Sequence, residues 1–259
     1  MIPKMKYIDS HTHTYLRGPE DLQSMAIAGV EGVVICSYFP IRPGGSSTLI
    51  DLFYWLQDEM GRLADYGIAS QMAVGIHPRS IPKIEIDDVM DQILNIFDHG
   101  LAAALGEVGL DTGSAEEREV FAKQLRIAND YGRPMIIHTP QNNKAEIVEA
   151  TLGILKEEKI DTSMVILDHL TPELVAKVKD EGAVAGLTLQ PGKMTYKDVE
   201  DAISKTGPER IVLNSDLGNK PSDPLALPKA AFNMDRDGIS GRDIELVTYS
   251  NIRALMWFR

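Results

Sequence analysis

A (β/α)8 barrel, often called a TIM barrel, is the α/β fold class that the sequence predicts. Three observations carry it: eight short apolar segments rich in β-branched residues, helical spacing of apolar residues between them, and a length of 259 residues, which suits one such barrel. The first segment, 6–9, is followed by Leu22, Met25 and Ala26 at helical spacing. The second, 33–37, leads to Leu52, Trp55, Leu56 and Leu63, and the third, 71–76, to Val89, Ile93, Leu94 and Phe97. Segment 101–105 precedes Phe121, Leu125 and Ala128, and that helix closes at Gly132 with Pro134 beyond it. After 135–137 come Ile147, Val148 and Ile154. After 164–167, Thr171-Pro172 opens a helix carrying Leu174, Val175 and Val178, because proline is tolerated in the first turn, where its missing N–H would have no partner. Segment 183–187 leads to Val199 and Ile203, and 211–213 is the last strand. Residues 1–259 read as a single domain, since no linker, low-complexity tract or repeat interrupts the alternation.

Composition narrows the setting. The lone Cys36 permits no internal disulfide, and no run approaches the roughly 18 apolar residues of a membrane span, so a cytoplasmic protein with no membrane association is expected. With 38 acids against 26 bases, a formal charge of -12 and no basic cluster, wrapping of an extended nucleic acid is not expected. A small anion or a strand end is not excluded, because bound cations would dominate the charge of their own site.

The residues with chemistry fall in one local context. His11 and His13 flank a single threonine in Tyr7-Ile-Asp-Ser-His-Thr-His, and in an extended strand alternate side chains share a face, which sets the two imidazoles side by side. Glu107, His138, His169 and Asp216 each follow a later strand-like segment, as does His77 in Val74-Gly-Ile-His-Pro. In a (β/α)8 barrel, residues at the carboxyl ends of the strands converge on one mouth however far apart they lie in sequence. Imidazoles and carboxylates meeting there form a ligand set for a divalent metal. Among the six, Glu107 is the natural bridge between two cations, because a carboxylate offers two oxygens. Asp168 adjoins His169 and faces away from it in a strand, and it and Asp9, close to His11 in sequence, are read as supports rather than ligands. His99, before Gly100 at a helix end, reads as a capping or surface residue.

The set resembles the TatD-like metal-dependent hydrolases of the amidohydrolase superfamily. The resemblance runs from Ile8-Asp-Ser-His-Thr-His through Gly75-Ile-His-Pro, Gly106-Glu-Val-Gly-Leu-Asp, the two later strand-end histidines and Ser215-Asp216 to Asn251-Ile-Arg-Ala-Leu, nearly the whole chain. It implies a distorted barrel of the metal-dependent hydrolase type with two divalent ions: one held by His11, His13 and Asp216, the other by His138 and His169, with Glu107 between them. Zinc is the expected metal, with manganese, magnesium or another divalent ion as alternatives. Superfamily relatives often use a carboxylated lysine as bridge, and no lysine follows strand four here.

The expected chemistry is hydrolysis by a hydroxide shared between the metals, formed from water whose pKa falls to about 7. Asp216 and Glu107 are the expected catalytic carboxylates, Asp216 as proton acceptor, and His77 orients a substrate oxygen. The resemblance implies a phosphoesterase acting on small phosphate esters or nucleic-acid ends, deoxyribonuclease-like in type. A lactonase or amidase on the same site, or a metal-binding barrel without turnover, are the alternatives. Two departures bear on substrate: many relatives carry a basic residue close after the strand-five histidine, where this chain has His138-Thr139-Pro140, and Ser215-Asp-Leu-Gly-Asn lacks the aromatic residue common in the family. Arg79, Lys193 and Lys220 lie in loops on the same side of the barrel as possible replacements.

Overall fold

The computed structural model describes residues 5–258. Eight parallel strands follow one another in space in the order of the chain: β1 (Tyr7–Thr12), β2 (Val30–Cys36), β3 (Ala69–Val74), β4 (Ala104–Gly109), β5 (Met135–His138), β6 (Val165–Leu167), β7 (Val184–Thr188) and β8 (Ile211–Asn214). The helices between them are α1 (Pro19–Ala28), α2 (Ser47–Asp65), α3 (Ile86–Asp98), α4 (Ala115–Asp130), α5 (Lys144–Glu157), α6 (Pro172–Asp180) and α7 (Tyr196–Thr206). After β8 come α8 (Ala226–Arg236), α9 (Gly241–Glu245), a π-helical turn over Leu246–Ser250 and α10 (Asn251–Leu255). This is the (β/α)8 barrel expected. Among the described residues no helix is long and apolar enough to cross a membrane.

Helix α3 shows how the sequence builds its outer ring. Val89, Ile93, Ile96 and Phe97 recur at three- and four-residue spacing and are all buried, while Asp87 and Asp88 occupy the first turn, where carboxylates favour the positive end of the helix dipole. His99 caps the helix, exposed, with Nδ1 donating to Asn95 O.

The barrel closes unevenly. Adjacent strands pair in continuous parallel register from β2 to β3 and from β7 to β8, but β1 meets the β8 end through one bridge, Thr12 with Leu217. Side chains complete this seam: Ser10 Oγ donates to Leu213 O, and Asp9 accepts from both the backbone N–H and the hydroxyl of Ser215. Burial pushes the Asp9 carboxyl up to about 7, against those hydrogen bonds.

The barrel interior, which includes Ile8, Val34, Ile136 and Val212, continues into Ile252 and Met256 beside α10. Phe258 packs where a Cβ on Gly32 would sit, so the C-terminal segment stoppers the amino-terminal end of the strands. Asn251 Nδ2 donates to Pro208 O and Ile211 O and ties that stopper to the start of β8. The Asn251-Ile-Arg-Ala-Leu motif is therefore a fold element, far from the mouth. Helix α8 is the eighth of the (β/α)8 alternation, though no helical spacing marked it in the sequence, and α9, the π-helical turn and α10 lie outside that alternation.

Several strand limits differ from expectation, among them β2, which begins at Val30, and β3, which runs from Ala69 to Val74; two of the differences bear on the site. The segment read as 101–105 is β4, which begins at Ala104 and runs on to Gly109, so Glu107 lies within the strand and not after it. Glycine and glutamate are poor strand formers, and the Gly106-Glu-Val-Gly run hid its extension. His11 likewise lies inside β1, with His13 just beyond its end.

Candidate metal centre at the carboxyl-terminal mouth

All seven candidate residues meet at one end of the barrel. His11 comes from β1, His13 from just after it, His77 from the loop after β3, Glu107 from β4 and His138 from the last position of β5. His169 and Asp216 follow β6 and β8 by two residues, and both take left-handed backbone conformations, with φ of 57° and 47°. That turn re-aims a side chain directly past a strand end, a conformation uncommon for residues with a Cβ.

Glu107 sits at the centre, and its two oxygens divide the imidazoles. Oε2 lies 3.3 Å from His11 Nε2 and 3.7 Å from His13 Nε2. Oε1 lies 3.0 Å from His138 Nδ1 and 3.1 Å from His169 Nε2. Asp216 Oδ1 completes the first group at 3.4 Å from His13 Nε2. Burial alone would raise the Glu107 carboxyl, but the surrounding imidazoles, His11 foremost, hold it well below the usual range. Asp216 is held low in the same way, against its burial, by His13, His169 and Lys193.

The outer nitrogens of three rings are anchored, whereas His138 Nε2 has no hydrogen-bond partner among the described residues, with Asp111 Oδ1 3.5 Å away. His13 Nδ1 donates to Cys36 O at 2.9 Å, and His11 Nδ1 donates to Asp168 Oδ2 at 2.6 Å. A carbonyl and an ionised carboxylate only accept, so both Nδ1 atoms carry a proton, and it is the Nε2 atoms that turn to the cavity and are available to a metal. Those two Nε2 atoms face each other at 3.2 Å. Two imidazole nitrogens this close to each other, with Glu107 Oε2 3.3 Å from His11 Nε2 and 3.7 Å from His13 Nε2, make a donor set that fits a cation. His169 Nδ1 meets Thr188 Oγ1 at 2.7 Å, and Thr188 leads on to Asp168. Asp168 also accepts from the His169 backbone and from Asn214 Nδ2, which makes it the hub behind two of the imidazoles. It fits only because β7 carries Gly186: a Cβ there would overlap its carboxylate.

His77 differs from the other rings. Its Nδ1 accepts from the Arg79 backbone N–H at 3.0 Å, so the proton sits on Nε2, which faces Glu107 Oε1 at 3.8 Å. Although His77, Glu107 and His138 are close enough to hold an ion, as are His11, His13 and Glu107, and His11, His169 and Asp216, the His77 tautomer makes it a donor into the cavity. Burial pushes its pKa well below the ordinary histidine value and keeps it neutral.

Around these groups lies a cavity of about 550 Å³. Arg79, Lys193 and Lys220, anticipated from sequence, line it. Arg79 pairs with Asp111 at 2.6 Å, and Lys193 Nζ pairs with Asp216 Oδ2 at 2.6 Å. Among the lining residues that sequence reasoning did not single out, Tyr38 and Lys144 bear on the chemistry. Tyr38, whose ring stands 4.6 Å from that of His77, follows β2 by two residues, the same strand-end signal that marked the histidines. Lys144 opens α5, yet its Nζ returns to Thr139 O, Thr139 Oγ1 and His169 O at 3.2, 2.9 and 2.6 Å. The absence of a base directly after His138 is thus made up in space by a lysine six residues on. Nothing local in the sequence marks it.

Comparison with known proteins places the chain. A family model described as TatD-related DNase matches residues 8–256. The protein belongs to the TatD family. An uncharacterized metal-dependent hydrolase of Methanocaldococcus jannaschii is 34% identical over 252 residues, spanning 95% of this chain and 98% of that protein. An uncharacterized metal-dependent hydrolase TatD of Mycobacterium tuberculosis is 23% identical over 283 residues, covering 97% of this chain and 99% of its own length. The crystal structure of a TatD-like protein from Archaeoglobus fulgidus superposes with a TM-score of 0.83 at 30% identity, covering 97% of this chain and all of that one. A phosphotriesterase of Mycobacterium tuberculosis, with a TM-score of 0.64 at 15% identity, shares the fold. By family, this TatD protein is a metal-dependent hydrolase with a clustered set of candidate metal-binding residues.

Proposed function

We propose that this TatD-family chain is a phosphoesterase acting on small phosphate esters or nucleic-acid ends, with two divalent ions, zinc foremost, held by the residues at the mouth. One observation carries the reading: Glu107 turns one oxygen to His11 and His13 and the other to His138 and His169. That is the arrangement of a carboxylate shared by two cations, with Asp216 as a further ligand beside His13. When bound, such a pair supplies a water of lowered pKa and neutralises charge that develops on the substrate.

The chain's own groups do the rest. Asp216, kept ionised with Oδ2 paired to Lys193 Nζ, is the carboxylate placed to take the proton of the attacking water. The Nε2–H of neutral His77 donates to a substrate oxygen, and the backbone N–H of Arg79 fixes that tautomer. Arg79, Lys144, Lys193 and Lys220 gather positive charge at the mouth of a chain whose formal charge is -12. Arg79 and Lys193 are offset by Asp111 and Asp216, so Lys144, Lys220 and the bound cations are what would favour an anionic substrate over a neutral one. Cys36, a single buried thiol in β2, is in keeping with a reducing, cytoplasmic setting.

Metal-loaded protein assayed on aryl phosphates, phosphodiesters and short oligonucleotides beside lactones and cyclic amides tests the reading. Turnover confined to the phosphoesters is expected. Turnover confined to the lactones or amides would assign the same residues to carbonyl chemistry, and none at all would leave a metal-binding barrel.

A further inference from the structure

We propose that Lys144 is an anion-binding residue of the mouth, which takes a non-bridging oxygen of the substrate's phosphate on the His138 and His169 side of the site. The inference rests on the phosphoester reading for its substrate, though not for its test. Lysine is poorly placed at the start of a helix, where the dipole presents positive charge, so its position on α5 needs another explanation. The side chain leaves the helix and bridges the loops after β5 and β6, each of which delivers one imidazole to the site.

Its partners are all neutral. Thr139 O, Thr139 Oγ1 and His169 O accept its three protons, and among the described residues it pairs with no carboxylate. Half-buried Lys179 has partners of the same kind, Thr206 O, Thr206 Oγ1 and Gly207 O, but it does not line the cavity, and Lys144 does. The other cations of the cavity wall differ too. Arg79 is offset by Asp111 and Lys193 by Asp216, while Lys220 stands exposed in water. Lys144 is thus the partly buried cation whose charge an incoming anion would balance, and a buried charge without a counter-ion is costly. The 3.2 Å bond to Thr139 O is the longest of its three and the one a phosphate oxygen entering from the cavity would replace. A neutral ester or lactone brings no charge to this position.

Three variants test it: Lys144→Met, Lys144→Gln and Lys144→Arg, each checked for an unchanged thermal transition. Calorimetry with inorganic phosphate on the metal-loaded protein should show affinity falling about ten- to a hundredfold in K144M and K144Q, and largely restored in K144R. Kinetics on an aryl phosphate should show the loss mainly in KM. Glutamine still donates hydrogen bonds to the Thr139 and His169 carbonyls, so phosphate affinity restored by K144Q would mean a purely structural lysine and overturn the proposal. Wild-type affinity in K144M would overturn it as well. If the wild type cleaves no phosphoester but phosphate binding still depends on the Lys144 charge, the anion site stands and the phosphoester reading falls. Phosphoester turnover combined with phosphate binding indifferent to all three variants would do the opposite, keeping the phosphoester reading and removing the anion site.

Discussion

At the amino-terminal end of the strands, Ile252 and Met256 are fully buried against apolar interior residues such as Ile8, Val34 and Val212. At the other end His11, His13, Glu107, His138 and His169 are buried almost as completely, at 0 to 6% exposure. The first end gains from burial directly, since apolar surface leaves water. The second buries imidazoles and carboxylates, a cost it offsets by anchoring the outer nitrogens of His11, His13 and His169 and by gathering the inner nitrogens and carboxylate oxygens into a donor set for a cation. The same scaffold therefore keeps its stability at one end and its chemistry at the other, and the two are separable by experiment.

The sharpest separation is expected at Glu107. Glu107→Ala removes the group between the two halves of the site, and metal content should fall together with kcat/KM, by about 10³-fold or more, equivalent to about 4 kcal/mol of barrier. Elemental analysis beside the phosphatase assay reads both, and unchanged metal stoichiometry would reject the bridge. At the opposite end, Ile252→Ala or Met256→Ala should cost about 2–5 kcal/mol in urea unfolding and leave kcat/KM of the folded protein in place. A drop in activity without loss of stability would show that the two ends are coupled.

A smaller effect concerns acid. Burial, with the charge of Lys193, pushes the His169 pKa down to about 4, below the unfolded value near 6.5. Between those values the unfolded chain binds a proton that the folded one does not, so the contribution is present above pH 6.5 and lost as pH falls to 4. In metal-free protein this amounts to about 3 kcal/mol. His169→Asn should flatten the decline in stability over that window by a comparable amount, measured by urea unfolding at pH 7 and pH 4.5; an unchanged slope would mean that this ring is not buried neutral. The smallest effect is expected at Asp168, which touches no ion in the proposed site. Asp168→Asn loosens the anchor behind His11 and should weaken metal binding about 10–100-fold in a chelator competition. Unaltered affinity would confine Asp168 to a packing role.

Much of the site is readable from local sequence. His11 and His13 stand out because strand periodicity is two, and His138, His169, Asp216 and His77 because each follows an apolar segment that could only be a strand. Eight such segments with helical spacing between them point to the barrel. Other features were not readable. The Gly106-Glu-Val-Gly run concealed the reach of β4, since its composition argues against a strand. Lys144 carries no local mark, because nothing in its neighbours indicates that the side chain turns back across the loop.

Local periodicity and motifs a few residues long were enough to set out the alternation of strands and helices, the groups gathered at one rim and the family to which the chain belongs. They could not say which oxygen of Glu107 faces which imidazole, which nitrogen of each ring keeps its proton, or which lysine lacks a counter-ion. Those are properties of contacts between residues tens to hundreds of positions apart, such as His11 with Asp168 and Lys144 with His169. Closing the barrel is what sets their distances.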